Sequence, residues 1–238
     1  MRRILVSTGA LLFLGAASIN RLHAQTNEWS FDLTLYGVAA AMDGDVTVRG
    51  VSADLDVGFD DVLKNLEFGA MGRVRVGYDR WAISTDVIYM ALGGSKDGVS
   101  ADIDQWLVQP QLEYRVCRSF DAYAGTRYNN LNGEIRGPFG RNPTGTQAWW
   151  DPVIGARISL PIVTKLSFDV RGDVGGFGVN SDLTWQAESV LNWRFTKWGS
   201  LQAGYRFLST DYDTGSGLNR FRYDVLVHGP QLGFTLHF

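Results

Sequence analysis

"GPQLGFTLHF", residues 229–238, alternates with a period of two. Pro230, Leu232, Phe234, Leu236 and Phe238 are apolar, whereas Gly229, Gln231, Gly233, Thr235 and His237 are small or polar. Successive side chains of a strand point to opposite faces, so this stretch makes a strand with one greasy and one polar face. The pattern runs up to Phe238. The same alternation recurs upstream, bounded by Gly, Asp, Asn or Pro clusters, and predicts ten strands. They cover 29–40, 67–78, 81–92, 103–116, 120–130, 147–160, 164–175, 182–195, 200–210 and 221–238.

The links between these strands alternate in length. Asp79-Arg80, Cys117 to Ser119, Pro161 to Val163 and Thr196 to Gly199 are short. Residues 41–66, 93–102, 131–146 and 211–220 are longer, and Gly- and Asp-rich. The first of these continues as a hairpin through Val46, Val48, Val51, Ala53, Leu55 and Val57. It then reads "FDDVLKNLEF", where Asp60 caps a short expected helical turn bearing Val62, Leu63 and Leu66.

The first residues belong to a different class. Arg2 and Arg3 precede an apolar run from Ile4 to about Ser18, and Leu22-His23-Ala24 reads as a cleavage site. Residues 1–24 are expected to be a signal peptide, leaving 25–238 as one domain. That run is shorter than the roughly 20 residues a membrane-spanning helix needs. Removing it leaves 19 basic against 25 acidic residues, a net charge of -6, which argues against a nucleic-acid partner. Cys117 is the only cysteine, so the fold must close without an internal disulfide.

Alternation alone does not say which face is buried. A soluble barrel hides its apolar face, whereas a membrane barrel shows it to lipid. The polar face decides. It carries Asp32, Glu67, Arg73, Arg75, Asp86, Glu113, Arg115, Asp121, Arg127, Asp151, Arg157, Asp169, Arg171, Asp173, Glu188, Arg194 and Arg206. Acids and arginines are nearly balanced, and lysine, the usual residue of a wetted face, is absent from it. Arginine suits enclosed, bidentate pairing with carboxylates. This face is therefore expected to form an interior ion-pair network, centred on Asp32, Arg73, Arg75, Glu113, Arg127, Arg157, Asp169, Arg171 and Glu188. The other face holds residues such as Phe31, Leu35, Ile83, Leu112, Ile154, Ile158, Leu201 and Leu232, with Trp29, Tyr78, Trp81, Tyr89, Trp106, Trp150 and Trp193 near strand ends. Aromatic girdles around an apolar band are the mark of a lipid-facing wall.

With its apolar positions Leu232, Phe234, Leu236 and Phe238, the last strand resembles the signature of Gram-negative outer-membrane β-barrel proteins, the small porin-like or outer-membrane barrel domain type. The resemblance implies an all-β, transmembrane, antiparallel up-and-down barrel of about ten strands, eight being the alternative. It implies that those four residues form the signal read by the barrel-assembly machinery, and that the chain lies in the bacterial outer membrane among its lipid and lipopolysaccharide. Long loops would face outward and both termini the periplasm.

Enzymatic constellations are thin. Omptin proteases resemble the chain in size, and Asp43, Asp45, Asp102, Asp104, Asp211 and Asp213 stand at the outer rim. Of the histidines beyond the signal, however, His237 lies at the opposite end and His228 on the lipid-facing set. Lipid A deacylases place a Ser two residues after a wall His, where this chain has Pro230. No His- or Cys-rich cluster suggests a metal site or cofactor, although the acidic loops could hold divalent cations that bridge lipopolysaccharide. The expectation is a non-enzymatic outer-membrane barrel, structural or passing small polar solutes. The alternatives are an adhesin acting through the loops at 41–66 and 131–150, the latter bearing Phe139, Trp149 and Trp150, and, third, a lipid A-modifying or omptin-like enzyme.

Overall fold

A computed structural model describes residues 28–48, 51–58, 60, 66–96, 99–136 and 144–238. The expected signal peptide and most of the expected helical turn after Asp60 lie outside the described residues, as do Phe139 and the side chain of Asp102.

Twelve strands follow in chain order: β1 (Trp29–Val38), β2 (Ala41–Val48), β3 (Val51–Val57), β4 (Leu66–Tyr78), β5 (Trp81–Lys96), β6 (Val99–Cys117), β7 (Phe120–Arg136), β8 (Thr144–Val163), β9 (Leu166–Gly175), β10 (Leu183–Arg194), β11 (Gly199–Thr214) and β12 (Phe221–His237). Neighbours in sequence pair antiparallel from β4 to β12, and β1 pairs with both β4 and β12. The sheet therefore closes, and its ring has ten staves.

The first stave is β1 and β2 together. β12 pairs with β1 from His237 to Gln231 and continues in the same register with β2 from His228 to Phe221. The gap falls at Ala39. Its N–H donates to the carbonyl of Pro230 at 2.9 Å, but proline has no N–H to return. The closing seam ends with Phe31 and Phe238, which exchange backbone hydrogen bonds of 2.9 and 3.3 Å and bring their rings to 5.5 Å.

Most strands run further than the alternation indicated, chiefly at the long-loop end. β5 reaches Lys96, β7 reaches Arg136 and β8 begins at Thr144. Ladder hydrogen bonds continue beyond the apolar band, where the outer face no longer needs greasy residues and the period-two signal fades. The β2–β3 hairpin bears out the expected continuation past the band.

The outward face is apolar. Leu35, Ile83, Leu112, Ile154, Ile158, Leu201 and Leu232 are all exposed. Aromatic pairs border them on two levels. Trp29 with Tyr78 and Trp81 with Tyr114 lie at the short-turn end; Tyr89 with Trp106 and Tyr128 with Trp150 lie at the other. Trp81 and Tyr89 are eight residues apart on β5, which is ~20 Å of height at a strand tilt near 40° and approaches the apolar band of a membrane barrel. The inward face carries charged and polar side chains through the middle of the barrel, among them the buried Asp86, Gln109, Arg127, Asp173 and Glu188. Greasy side chains outside and charges inside define a transmembrane β-barrel.

Candidate functional site

The inside of the barrel is stacked in layers, because each stave contributes every second residue at successive heights. Nearest the short turns, Arg75 donates to Glu113 at 2.8 Å, and Arg157 pairs with Asp121 while lying 3.8 Å from Glu113. Ser84 and Gln111 also donate to Glu113, at 2.6 and 3.0 Å. Above this, Arg73 bridges Glu188 at 2.8 Å and Asp86 at 3.1 Å. Asp86 also forms an ion pair with Arg206 at 3.2 Å and accepts a hydrogen bond from the Tyr36 hydroxyl at 2.5 Å. Arg171 lies over the Tyr123 ring at 5.0 Å and donates to Gln111 at 2.7 Å.

The next layer is centred on Arg127 and Asp173. Arg127 donates to Asp173 at 2.5 Å, to Gln109 at 2.9 Å and to Thr184 at 2.6 Å. Asp173 accepts further bonds from Gln109, Tyr123 and Gln186. A buried charge is tolerated only when paired and hydrogen-bonded, and this pair meets both conditions. Gly155 makes room for the layer: a Cβ there would stand 2.5 Å from the Tyr123 ring and 2.6 Å from the Asp173 Cβ.

Towards the long loops the lumen turns apolar. Met42, Met90, Leu131, Trp149, Tyr212, Phe221, Tyr223 and Val225 form one buried cluster. Trp149 stacks on Tyr212 with ring centroids 4.0 Å apart and donates from its indole to Asp151 at 3.0 Å. Ser181, in the β9–β10 link, fastens that link to Asp151 through its backbone N–H at 2.8 Å and its hydroxyl at 2.6 Å.

The nine residues expected in the lumen all point inward, but they do not form one web. Asp32 lies 3.8 Å from Arg75, and its shorter contact is with His237 at 2.7 Å. Asp169 takes a bond from Asn192 at 2.7 Å. Arg115 and Arg194, also placed on the inner face, are exposed at the short-turn end. Asp86, Asp173 and Arg206 carry more of the network than a face list could show, since cross-lumen partners are distant in sequence. Trp149, expected in a ligand-binding loop, is buried in the lumen instead: the residues around it continue β8, and its position in the alternation turns it inward. The apolar cluster was missed because the period-two reading equates greasy with lipid-facing, which fails above the membrane.

A cavity of about 380 Å³ lies at the short-turn end, against the Thr164-Lys165 turn. Its lining includes Asp32, Arg73, Arg75, Arg157, Asp169, Arg171, Arg194, Ser200, Gln202 and His237. The four residues of the expected assembly signal, Leu232, Phe234, Leu236 and Phe238, sit on the outer wall. Phe234 packs near Phe195 and Trp198, with centroids 6.2 and 6.4 Å away. His228 is also outside, held between Asp43 at 2.9 Å and Tyr205 at 2.7 Å, and its ring stacks near Tyr205 and Phe207. It therefore belongs to the outer girdle. Among the described residues, no group of three or more His, Cys, Asp or Glu is arranged to hold a metal ion.

No family model matches the chain, and no curated protein is similar to it. Among solved structures it is similar to Ail, the attachment invasion locus protein of Yersinia pestis, at 11% identity over 90% of this chain and 100% of that one, with a TM-score of 0.42. It is also similar to the translocator domain of the autotransporter NalP from Neisseria meningitidis, at 13% identity over 90% of both chains and a TM-score of 0.45. Neisserial surface protein A matches at 11% identity over 88% of this chain and 97% of that one, with a TM-score of 0.33. Likeness at these values carries no information on function.

Proposed function

We propose that this chain is an integral outer-membrane protein whose barrel is closed to through-passage, serving the envelope as a wall element rather than a conduit. The observation that carries this is the fully buried Arg127–Asp173 layer, roofed by the apolar Trp149–Tyr212 cluster. Ions crossing the lumen would have to break charge-assisted bonds in a dry setting and then pass a greasy plug, and each step is costly. The first expectation, a structural barrel or a small polar pore, thus narrows to the former. Assembly would proceed through Leu232, Phe234, Leu236 and Phe238, and the outer wall would contact lipid and lipopolysaccharide.

Planar-bilayer recording of the refolded protein tests this. No discrete conductance steps are expected at moderate voltage. Stepwise opening that responds to Arg127→Ala would overturn the proposal.

Binding through the outer loops is a second reading. It is favoured by the β2–β3 hairpin, which stands beyond the girdle and turns Asp43 outward, with Asp211 and Asp224 facing each other nearby. Divalent cations could join these carboxylates to lipopolysaccharide phosphates. Shortening the hairpin should then abolish surface binding while leaving the barrel folded.

A further inference from the structure

We infer that the short-turn cavity is a hydrolytic site for small anionic esters, with Ser200 as nucleophile, His237 as general base and Asp32 as its positioning residue. This departs from the expectation of a non-enzymatic barrel and does not depend on whether the lumen conducts.

The geometry is that of a serine relay. The Ser200 Oγ lies 2.7 Å from His237 Nε2, and His237 Nδ1 lies 2.7 Å from Asp32 Oδ1. A carboxylate only accepts, so it fixes the tautomer: Nδ1–H donates to Asp32, and Nε2 is left to accept the Ser200 hydroxyl proton. Each pairwise contact occurs often by itself. A serine, both imidazole nitrogens and a carboxylate in one line, on the wall of a cavity, is the arrangement that activates a hydroxyl.

Three strands hold the line rigid. Asp32 on β1 is directly opposite His237 on β12, and Ser200 on β11 is opposite Thr235, the inward neighbour of His237. The His237 backbone N–H is tied to the Trp198 carbonyl at 2.9 Å, and Arg75 stands 3.8 Å from the other Asp32 oxygen. All three side chains line the 380 Å³ cavity, which is within the range for a small ligand.

The lining also indicates the substrate. Arg194 and Lys165 stand at the mouth and make no ion pair among the described residues, so a carboxylate or phosphate on the substrate would dock there. Gln202 carries a side-chain amide donor on the same wall for the carbonyl oxygen, whereas the Thr235 hydroxyl is shared with Thr34 at 2.9 Å.

The reaction balances with water as the only co-reactant. Ser200 Oγ forms a bond to the ester carbonyl carbon as its proton passes to His237 Nε2. The carbonyl electron pair moves onto oxygen. Collapse breaks the bond to the alkoxy oxygen, which takes the proton from His237 and leaves as the alcohol. Water then attacks the acyl-Ser200 by the same route, giving the acid and restoring the hydroxyl.

The test uses the mature barrel refolded in detergent micelles, treated with a fluorophosphonate probe and assayed with mono-4-nitrophenyl succinate beside 4-nitrophenyl acetate. One covalent adduct on Ser200, faster turnover of the anionic ester, and a loss of ~100-fold or more in Ser200→Ala and His237→Gln support the inference. Heat-modifiable gel migration shows that each variant is folded. Ser200→Cys gives an independent readout: its thiol should be alkylated by iodoacetamide much faster than Cys117, and His237→Gln should slow it. No adduct on a folded barrel, or labelling indifferent to Ser200→Ala, would overturn the assignment. A conducting barrel that still labels would overturn only the closed lumen.

Discussion

Arg127 and Asp173 meet at 2.5 Å at mid-lumen, neither side chain being exposed at all. They come from β7 and β9, with β8 between them, so the contact reaches across the inside of the wall rather than along one ladder. Removing one partner strands the other charge in a dry site. Arg127→Met should lower folding stability in liposomes by ~3–5 kcal/mol, and the double change with Asp173→Leu should recover much of it. Urea unfolding followed by tryptophan fluorescence reads both.

The roof of the lumen rests on Trp149, stacked on Tyr212 and bonded to Asp151. Trp149→Ala leaves a void among packed side chains and should cost ~3–5 kcal/mol in the same unfolding experiment. Trp149→Phe keeps the stack but leaves Asp151 one donor short, and should cost less.

The outer wall follows the opposite rule. Ile154 is more than half exposed at mid-band on β8. Ile154→Arg should destabilise the barrel in liposomes by ~2–4 kcal/mol, as a charge facing hydrocarbon does. A charge substituted at Ser52, on the hairpin beyond the membrane, should cost little.

Beyond the girdle, Arg220 donates two hydrogen bonds to Asp213, at 3.1 and 2.5 Å. Those bonds, before any other influence, hold the Asp213 carboxyl below its ordinary value. A depressed carboxylate contributes stability that is present above its unfolded value and fades as pH falls through the folded one. The β11–β12 turn at Gly217–Asn219 should therefore lose hydrogen-exchange protection below pH ~4. Asp213→Asn should remove that pH dependence.

Much of the barrel was legible in advance because membrane and lumen impose opposite demands on alternate residues. Leu232 and Gln231, adjacent in sequence, already declare the two faces. The arginine-rich, lysine-free inner face pointed to charge pairing in the lumen, but not to Asp32 meeting His237 or Asp169 meeting Asn192. What was not legible depends on contacts between distant strands. His237 was set aside as a residue near the end of the chain, yet closure of the ring brings it between Asp32 and Ser200, which are 205 and 37 positions away in sequence. Trp149 was counted with the loop segment at 131–150 although it also fell within the strand expected at 147–160, because a period-two reading that turns greasy residues to lipid leaves no place for an aromatic inside. The bulk of the apolar plug was hidden for the same reason.

Spin labels on β8, placed in liposomes in a Cys117→Ser background, test the two faces most directly. Labels at 154, 156 and 158 should collide with dissolved oxygen and be shielded from a polar nickel chelate, whereas labels at 157 and 159, beside the short-turn cavity, should show the reverse. Uniform access of the nickel chelate, or oxygen preference at 157 and 159, would contradict a barrel that turns its greasy side chains to lipid and its arginine–carboxylate network inward.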